Sequence, residues 1–393
     1  MSNSIYHSEA IYKCLLKLNI YRDFSHTVVK HIMAIIMAVF CAGYKGKTVQ
    51  FSQTSVCHRT TVAHFLNKGK WNSNHLEDIL KHEVLDIIYR ESERTGKPIY
   101  CIVDDTISSK TKPSSQALHP IQDAYFHYSH LKNRQDYGHQ AVAVMLSCNG
   151  ITLNYAIIMY DKTKSKIQIV QEIASELPET SIPSYFLCDS WYTCASIVTA
   201  FHKKDFYTIG AIKTNRIVTL EGGKLQLGQL AGALQLAGFN ADLVTVGKRQ
   251  FYVYSCKVQI EGIGDTLILL SYPREALGDP STLRAFVSTD KSLATKDVLD
   301  SYVIRWNIEV FFRQAKQKLA FDKYQIRSST GIKRFWLLMS LAHFLCCVGT
   351  NEYLSFAEGY AHFQHELLRE RTEFIYRCGY AHIPLEDVYA LIA

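Results

Sequence analysis

Between residues 98 and 213 short apolar runs alternate with amphipathic stretches, and each run ends at a polar break. "PIYCIVDDT" (98–106) is an apolar run closed by two aspartates and predicts a strand. "HQAVAVMLSCNG" (139–150) and "ITLNYAIIMYD" (151–161) predict two strands joined at Asn149-Gly150, a dipeptide that favours a tight hairpin turn. "SKIQIVQEIASEL" (165–177) has the spacing of an amphipathic helix. "SYFLCDS" (184–190) is a second short strand that ends in Asp, followed by a helix in "CASIVTAFHKK" and a strand in "FYTIGAIK". The predicted order is strand, hairpin, helix, strand, helix, strand, which is a mixed α/β sheet.

The flanking regions read differently. Residues 23–70 predict helices: a long apolar one in "DFSHTVVKHIMAIIMAVFCAG", then two shorter pieces in "TSVCHRTTVAHFLNKGKW". The second pair suits either a helix-turn-helix with a basic second helix or a plain helical hairpin. Residues 214–291 are rich in alternating strands and predict an all-β insertion. A helical region begins at Thr295. The chain is thus divided into a helical region (1–90), the first part of the core (91–213), the insertion (214–293), the second part of the core (294–350) and a C-terminal helical region (351–393).

Within the second part, "SYVIRWNIEVFFRQAKQKL" (301–319) predicts one helix with an unusual distribution. At about 100° per residue, Tyr302, Arg305, Glu309 and Lys316 fall within an arc of roughly 60°, with Arg313 beside them. Most of the remaining circumference is apolar. An ordinary i,i+4 pair between Arg305 and Glu309 would explain two of these residues but not the whole stripe.

Composition narrows the class. The chain has 393 residues, 48% hydrophobic and 20% charged, which is globular. A net charge of +7 suits a polyanionic partner. Eleven cysteines without a C-x-x-C pair predict reduced thiols and a cytoplasmic location. The opening "MSNSIYHSEA" is too polar for a secretory signal. The apolar run 32–43 is shorter than the ~20 residues of a membrane span, so no membrane is expected. "CAGYKGKT" has Cys41 where a phosphate-binding loop needs its first glycine, so no nucleotide cofactor is expected.

Candidate chemistry lies at the strand ends. Hard divalent cations prefer carboxylate oxygens, and a pair of them can drive phosphoryl transfer. A lone strand-end Asp is usually a turn former. Here Asp104-Asp105 and Asp189 recur in the same setting, and Glu309 lies on the polar stripe.

Tyr302-x2-Arg305-x3-Glu309-x6-Lys316, together with "VDDT" and "LCDSWY", resembles the Y-R-E-K group of bacterial insertion-sequence DDE transposases over about residues 98–350. The resemblance implies an RNase H-like mixed sheet flanked by helices, with a β-rich insertion before the catalytic helix and a helical N-terminal DNA-binding region. It implies Asp105, Asp189 and Glu309 as catalytic residues and ligands of two divalent ions, Mg2+ with Mn2+ as alternative. Asp105 is chosen over Asp104 because it precedes Thr106, and Asp104 becomes a supporting neighbour. Tyr302, Arg305 and Lys316 would contact phosphates. The implied activity cleaves element ends and joins the freed 3′-hydroxyls to target DNA, with a homodimer on double-stranded DNA at the nucleoid. A nuclease of the same fold that cleaves without joining, and a non-catalytic DNA-binding regulator, remain alternatives.

Further basic residues are candidate DNA contacts: Arg313 on the stripe, Lys132, Arg134 and His139 near the first hairpin, Lys213 and Arg216, and Arg327, Lys333 and Arg334. Trp191 and Tyr192 could stack on a base, although core packing is the better expectation. The pair His127 and His130 is expected to be structural.

Overall fold

The computed structural model describes residues 6–129, 132–350 and 352–392. His130 lies outside the described residues.

Ser8 accepts from the Ile11 N–H and starts α1 (Glu9–Lys17). After α2 (Ile20–Asp23), Ser25 caps α3 (His26–Phe40), the apolar run of the sequence, which is buried from His31 to Phe40. Two shorter helices follow, α4 (Thr48–Phe51) and α5 (Arg59–Asn67). The longer α6 (Ser73–Thr95) stops at Gly96, whose φ of 65° favours glycine.

The sheet then begins with β1 (Tyr100–Ser109), β2 (Tyr125–Ser129), β3 (Arg134–Cys148) and β4 (Ile151–Tyr160). Asn149 and Gly150 turn β3 into β4 with φ of 48° and 86°, the left-handed pair the sequence predicts. A Ser165–Gln168 capping box starts α7 (Lys166–Glu176). β5 (Ser184–Cys188), α8 (Ala195–His202) and β6 (Phe206–Ile212) complete the first part of the core.

The predicted all-β insertion is corrected in one respect. Between β7 (Ile217–Leu220), β8 (Gly223–Gln226) and β9 (Asp242–Val246) it holds a helix, α9 (Leu227–Leu236). Leu227, Leu230 and Ala231 bury one face of that helix, the i,i+3,i+4 spacing that a β-rich window obscures. β10 (Arg249–Ile260), β11 (Gly264–Pro273) and β12 (Arg284–Ser288) follow.

The single helix predicted over 301–319 is also corrected. It divides into α10 (Thr295–Ile304) and α11 (Trp306–Lys318), with Arg305 at the junction donating its N–H to Tyr302 O at 3.1 Å. Nor is its non-stripe side uniformly buried, because Val303 and Trp306 are more than half exposed. The chain ends with α12 (Ser329–Val348), α13 (Phe356–Tyr380) and α14 (Leu385–Ile392). By length and composition α12 could cross a membrane, but most of it is buried inside the protein.

All strands among the described residues join one mixed sheet of twelve, in the order β2-β3-β1-β5-β6-β12-β11-β10-β7-β8, with β4 on β3 and β9 on β10. β1, β5 and β6 run parallel to one another, and the other pairings are antiparallel. The insertion is therefore no separate sheet. β12 pairs with β6 and carries the core sheet outward. One apolar core runs from Ile11 to Phe363 and includes both the N-terminal helices and the α/β sheet. A smaller one, with Leu230, Tyr254, Ile268 and Tyr272, belongs to the insertion.

Candidate active site

β1 enters the core as Cys101, Ile102 and Val103, all fully buried, and then presents Asp104 and Asp105. Successive strand residues point to opposite faces, so these two aspartates cannot serve the same site equally. Their partners show the division. Asp104 Oδ2 accepts from Arg305 Nη1 at 3.2 Å, and Thr106, two residues on, accepts from Lys316 Nζ at 2.7 Å. That face meets the polar stripe. Asp105 instead accepts from Lys166 Nζ at 2.7 Å, Tyr192 OH at 2.8 Å and Gln140 Nε2 at 2.5 Å.

The parallel pairing of β1 with β5 places the second aspartate. Tyr100 lies opposite Tyr185 and Ile102 opposite Leu187, so the same register carried two residues further sets Asp104 beside Asp189. Asp189 Oδ1 accepts the N–H groups of Trp191 at 2.9 Å and Tyr192 at 3.2 Å, which fixes the carboxylate at the strand end. Burial pushes Asp104 up to about 7, and the adjacent Asp189 carboxylate adds to the rise.

Arg305 reaches Glu309 as well, with Nη2 2.5 Å from Oε1. One guanidinium thus holds Asp104 and Glu309 together, and its Nε is buried without a partner. The arrangement relieves repulsion among carboxylates in the way a bound cation would. The donor set, three carboxylates from two strand ends and one helix, has the chemistry for hard divalent ions. Among the described residues no three such groups already converge on one point. The fit is therefore chemical, with Arg305 standing between Asp104 and Glu309.

A cleft of about 660 Å³ opens here, lined by Asp104, Asp105, Asp189, Trp191 and four lysines, Lys132, Lys166, Lys213 and Lys316. Glu309 is not among its lining residues. Burial lowers the Lys316 pKa. Lys132 donates to Asp136 at 2.6 Å and Ser109 at 2.8 Å. Tyr302 is half-buried against the Phe286 ring, and burial pushes its hydroxyl up to about 12.

The other candidates scatter. Arg134 and Arg313 are exposed. Arg327 donates to His119 O at 2.7 Å, and Lys333 pairs with Asp161 at 3.3 Å in a separate hollow beneath α12. Arg334 turns inward and donates to the carbonyls of Phe65, Leu66 and Trp71, closing the end of α5. His139 is fully buried between Gln122 O and Tyr324 OH, which removes it from any DNA surface. Nothing local in the sequence marks Lys166, Gln140 and Tyr192 as the partners of Asp105. The strand-to-helix order around them carries no signal of which way Asp105 faces.

A family model described as a transposase DDE domain matches residues 95–345. No curated protein matches the chain. The matched span exceeds half of the sequence and contains both strand-end aspartates, Arg305, Glu309 and Lys316; the chain belongs to the DDE transposase family.

Proposed function

We propose, taking that membership as the premise, that this protein cleaves the ends of an insertion element and joins the freed 3′-hydroxyls to target DNA. The observation that supports it is the β1–β5 register, which continued past Ile102 opposite Leu187 brings Asp104 toward Asp189, on the face met by Arg305 and Lys316, with Glu309 joined through Arg305. In this reading Asp104 takes the place assigned from sequence to Asp105, and the sheet is RNase H-like: a three-strand antiparallel unit followed by two parallel strands.

Asp104, Asp189 and Glu309 would hold two divalent ions, Mg2+ or Mn2+, which when bound supply water activation and neutralise charge on the phosphoryl oxygens. The chain's own groups do the rest. Asp189 is fixed by two backbone N–H donors. Asp105, tied to Lys166, Tyr192 and Gln140, would stiffen β1 at the cleft wall. Arg305 would exchange its carboxylates for a DNA phosphate, to which a guanidinium forks well. Lys132, Lys213 and Lys316, which line the cleft, would meet the DNA phosphates. α5, whose Arg59, Thr60, Thr61 and His64 are exposed, with exposed Lys68 just past its end, is the proposed DNA-reading helix of the N-terminal region. Two copies would pair the two element ends.

The test uses purified full-length protein, Mg2+, duplexes carrying the terminal sequences that flank its gene, and a supercoiled target. End nicking followed by joined product, both lost in Asp104→Asn and Asp189→Asn, is the expected result. Nicking of a pre-cut end's neighbourhood without joined product would favour a simple nuclease. Binding with no cleavage in any divalent ion would favour a regulator.

A further inference from the structure

Trp191 and Tyr192 are adjacent, yet the fold treats them in opposite ways. Tyr192 is fully buried and bonded to Asp105. Trp191 is 41% exposed and lines the carboxylate cleft. Core packing therefore accounts for Tyr192 and not for its neighbour.

The exposed indole is held in place. Its backbone N–H is bonded to Asp189 Oδ1 at 2.9 Å, so its position is tied to that of the carboxylate. Its ring lies 4.7 Å from Tyr192 at 74°, an edge contact. Lys166 Nζ stands 4.1 Å from the ring centroid and is itself anchored to Asp105 at 2.7 Å. Little rotational freedom remains to be lost when a ligand arrives. Lys132, Lys213 and Lys316 line the same cleft. A fixed aromatic ring among cations is the chemistry that receives single-stranded nucleic acid: bases stack on the ring, and phosphates meet the cations.

We propose that Trp191 is a stacking site for an unpaired base next to the phosphate presented to Asp104 and Asp189. The inference rests on the DNA reading above and adds to it. An interior base has both faces covered by its neighbours and a blunt terminal pair offers only its outer face, whereas an unpaired base can turn into the cleft and lay its ring on Trp191. The cleft would therefore favour DNA whose terminal bases are unpaired.

Binding of full-length protein is measured in EDTA, so that no cleavage intervenes. Two hairpin duplexes are compared, one blunt and one ending in a short single-stranded tail. Trp306→Phe serves as the parent, because Trp306 is also exposed and would blur the emission signal. The parent should bind the tailed duplex about tenfold more tightly than the blunt one, with quenching of Trp191. Trp191→Ala in that parent should remove the preference by weakening the tailed duplex about tenfold and the blunt one much less. Trp191→Phe should keep part of the preference, which a merely structural role would not predict. An unchanged preference in Trp191→Ala, or equal weakening for both duplexes, overturns the stacking site; cleavage by that variant would then leave the transposase reading standing. If the parent binds neither duplex, both proposals fall.

Discussion

Arg305 donates to Asp104 at 3.2 Å while its second terminal nitrogen holds Glu309. The guanidinium is mostly buried, and the two carboxylates are partly so. Arg305→Gln should leave Asp104 and Glu309 without their shared counterion. With a discount for partial exposure, the expected loss is ~1–3 kcal/mol. Thermal unfolding in EDTA should show a lower Tm than the parent, and added Mg2+ should recover more for the variant than for the parent. Equal responses to Mg2+ would mean that Arg305 does not stand in for a cation.

The two adjacent aspartates should separate in function. Asp104→Asn is expected to reduce end nicking by about 10³-fold or more, as loss of an essential charged group at a reacting centre does. Asp105→Asn removes the Lys166 ion pair but keeps the side-chain shape, so nicking should fall by about tenfold or less. The reverse ranking would refute the register argument.

Gly210 on β6 leaves room for the turn that carries Asp189. A Cβ there would come 2.5 Å from Thr193 Oγ1 and 3.1 Å from Cys188 Sγ. Thr193 Oγ1 lies 2.9 Å from Asp189 O and 2.7 Å from Ala211 O, so it has little freedom to retreat. Gly210→Ala should cost ~1–3 kcal/mol in denaturant unfolding and lower nicking disproportionately. Normal stability with normal nicking would show that the turn can yield.

His343 should make the protein acid-sensitive. It is buried between the rings of Phe311 and Phe356, its Nδ1 has no partner, and burial lowers its pKa to about 3. The ordinary value is 6.5. As pH falls through it, the unfolded chain takes up a proton that the native state refuses. Stability should then drop by ~1.4 kcal/mol per pH unit from this group, a loss that is absent well above 6.5. His343→Leu should flatten that part of the acid limb; an unaltered slope would assign it elsewhere.

Arg334→Ala should act on folding and not on DNA. It loses three carbonyl partners and the Trp71 ring, 4.9 Å from the guanidinium. A loss of ~1–3 kcal/mol is expected, with the salt dependence of DNA binding unchanged. A shallower salt slope would return Arg334 to the phosphate contacts.

These contrasts mark how far the sequence could be read. Apolar runs with period two, the Asn149-Gly150 turn and the serine caps are local signals, and the core strands and helices follow from them. The polar stripe is also local, and it does meet the strand ends, through Arg305 and Lys316. The choice between Asp104 and Asp105 is not local. Strand periodicity says that only one can share the stripe's face, but which one depends on pairing with β5. His139 and Arg334 look like basic surface residues in sequence, and only distant partners, Tyr324 and the end of α5, draw them inward. The division of the helix at Arg305 likewise has no proline or glycine to announce it.

The pairing of β12 with β6, from Ala285 opposite Ile212 to Ser288 opposite Ile209, has a practical corollary: the last strand of the intervening segment covers the edge of β6. Pruning that segment away would leave β6, an apolar strand, with a raw rim of unsatisfied amides open to any passing chain. A miniaturised enzyme would need a replacement border, such as charged residues or a covering loop, before it could stay in solution.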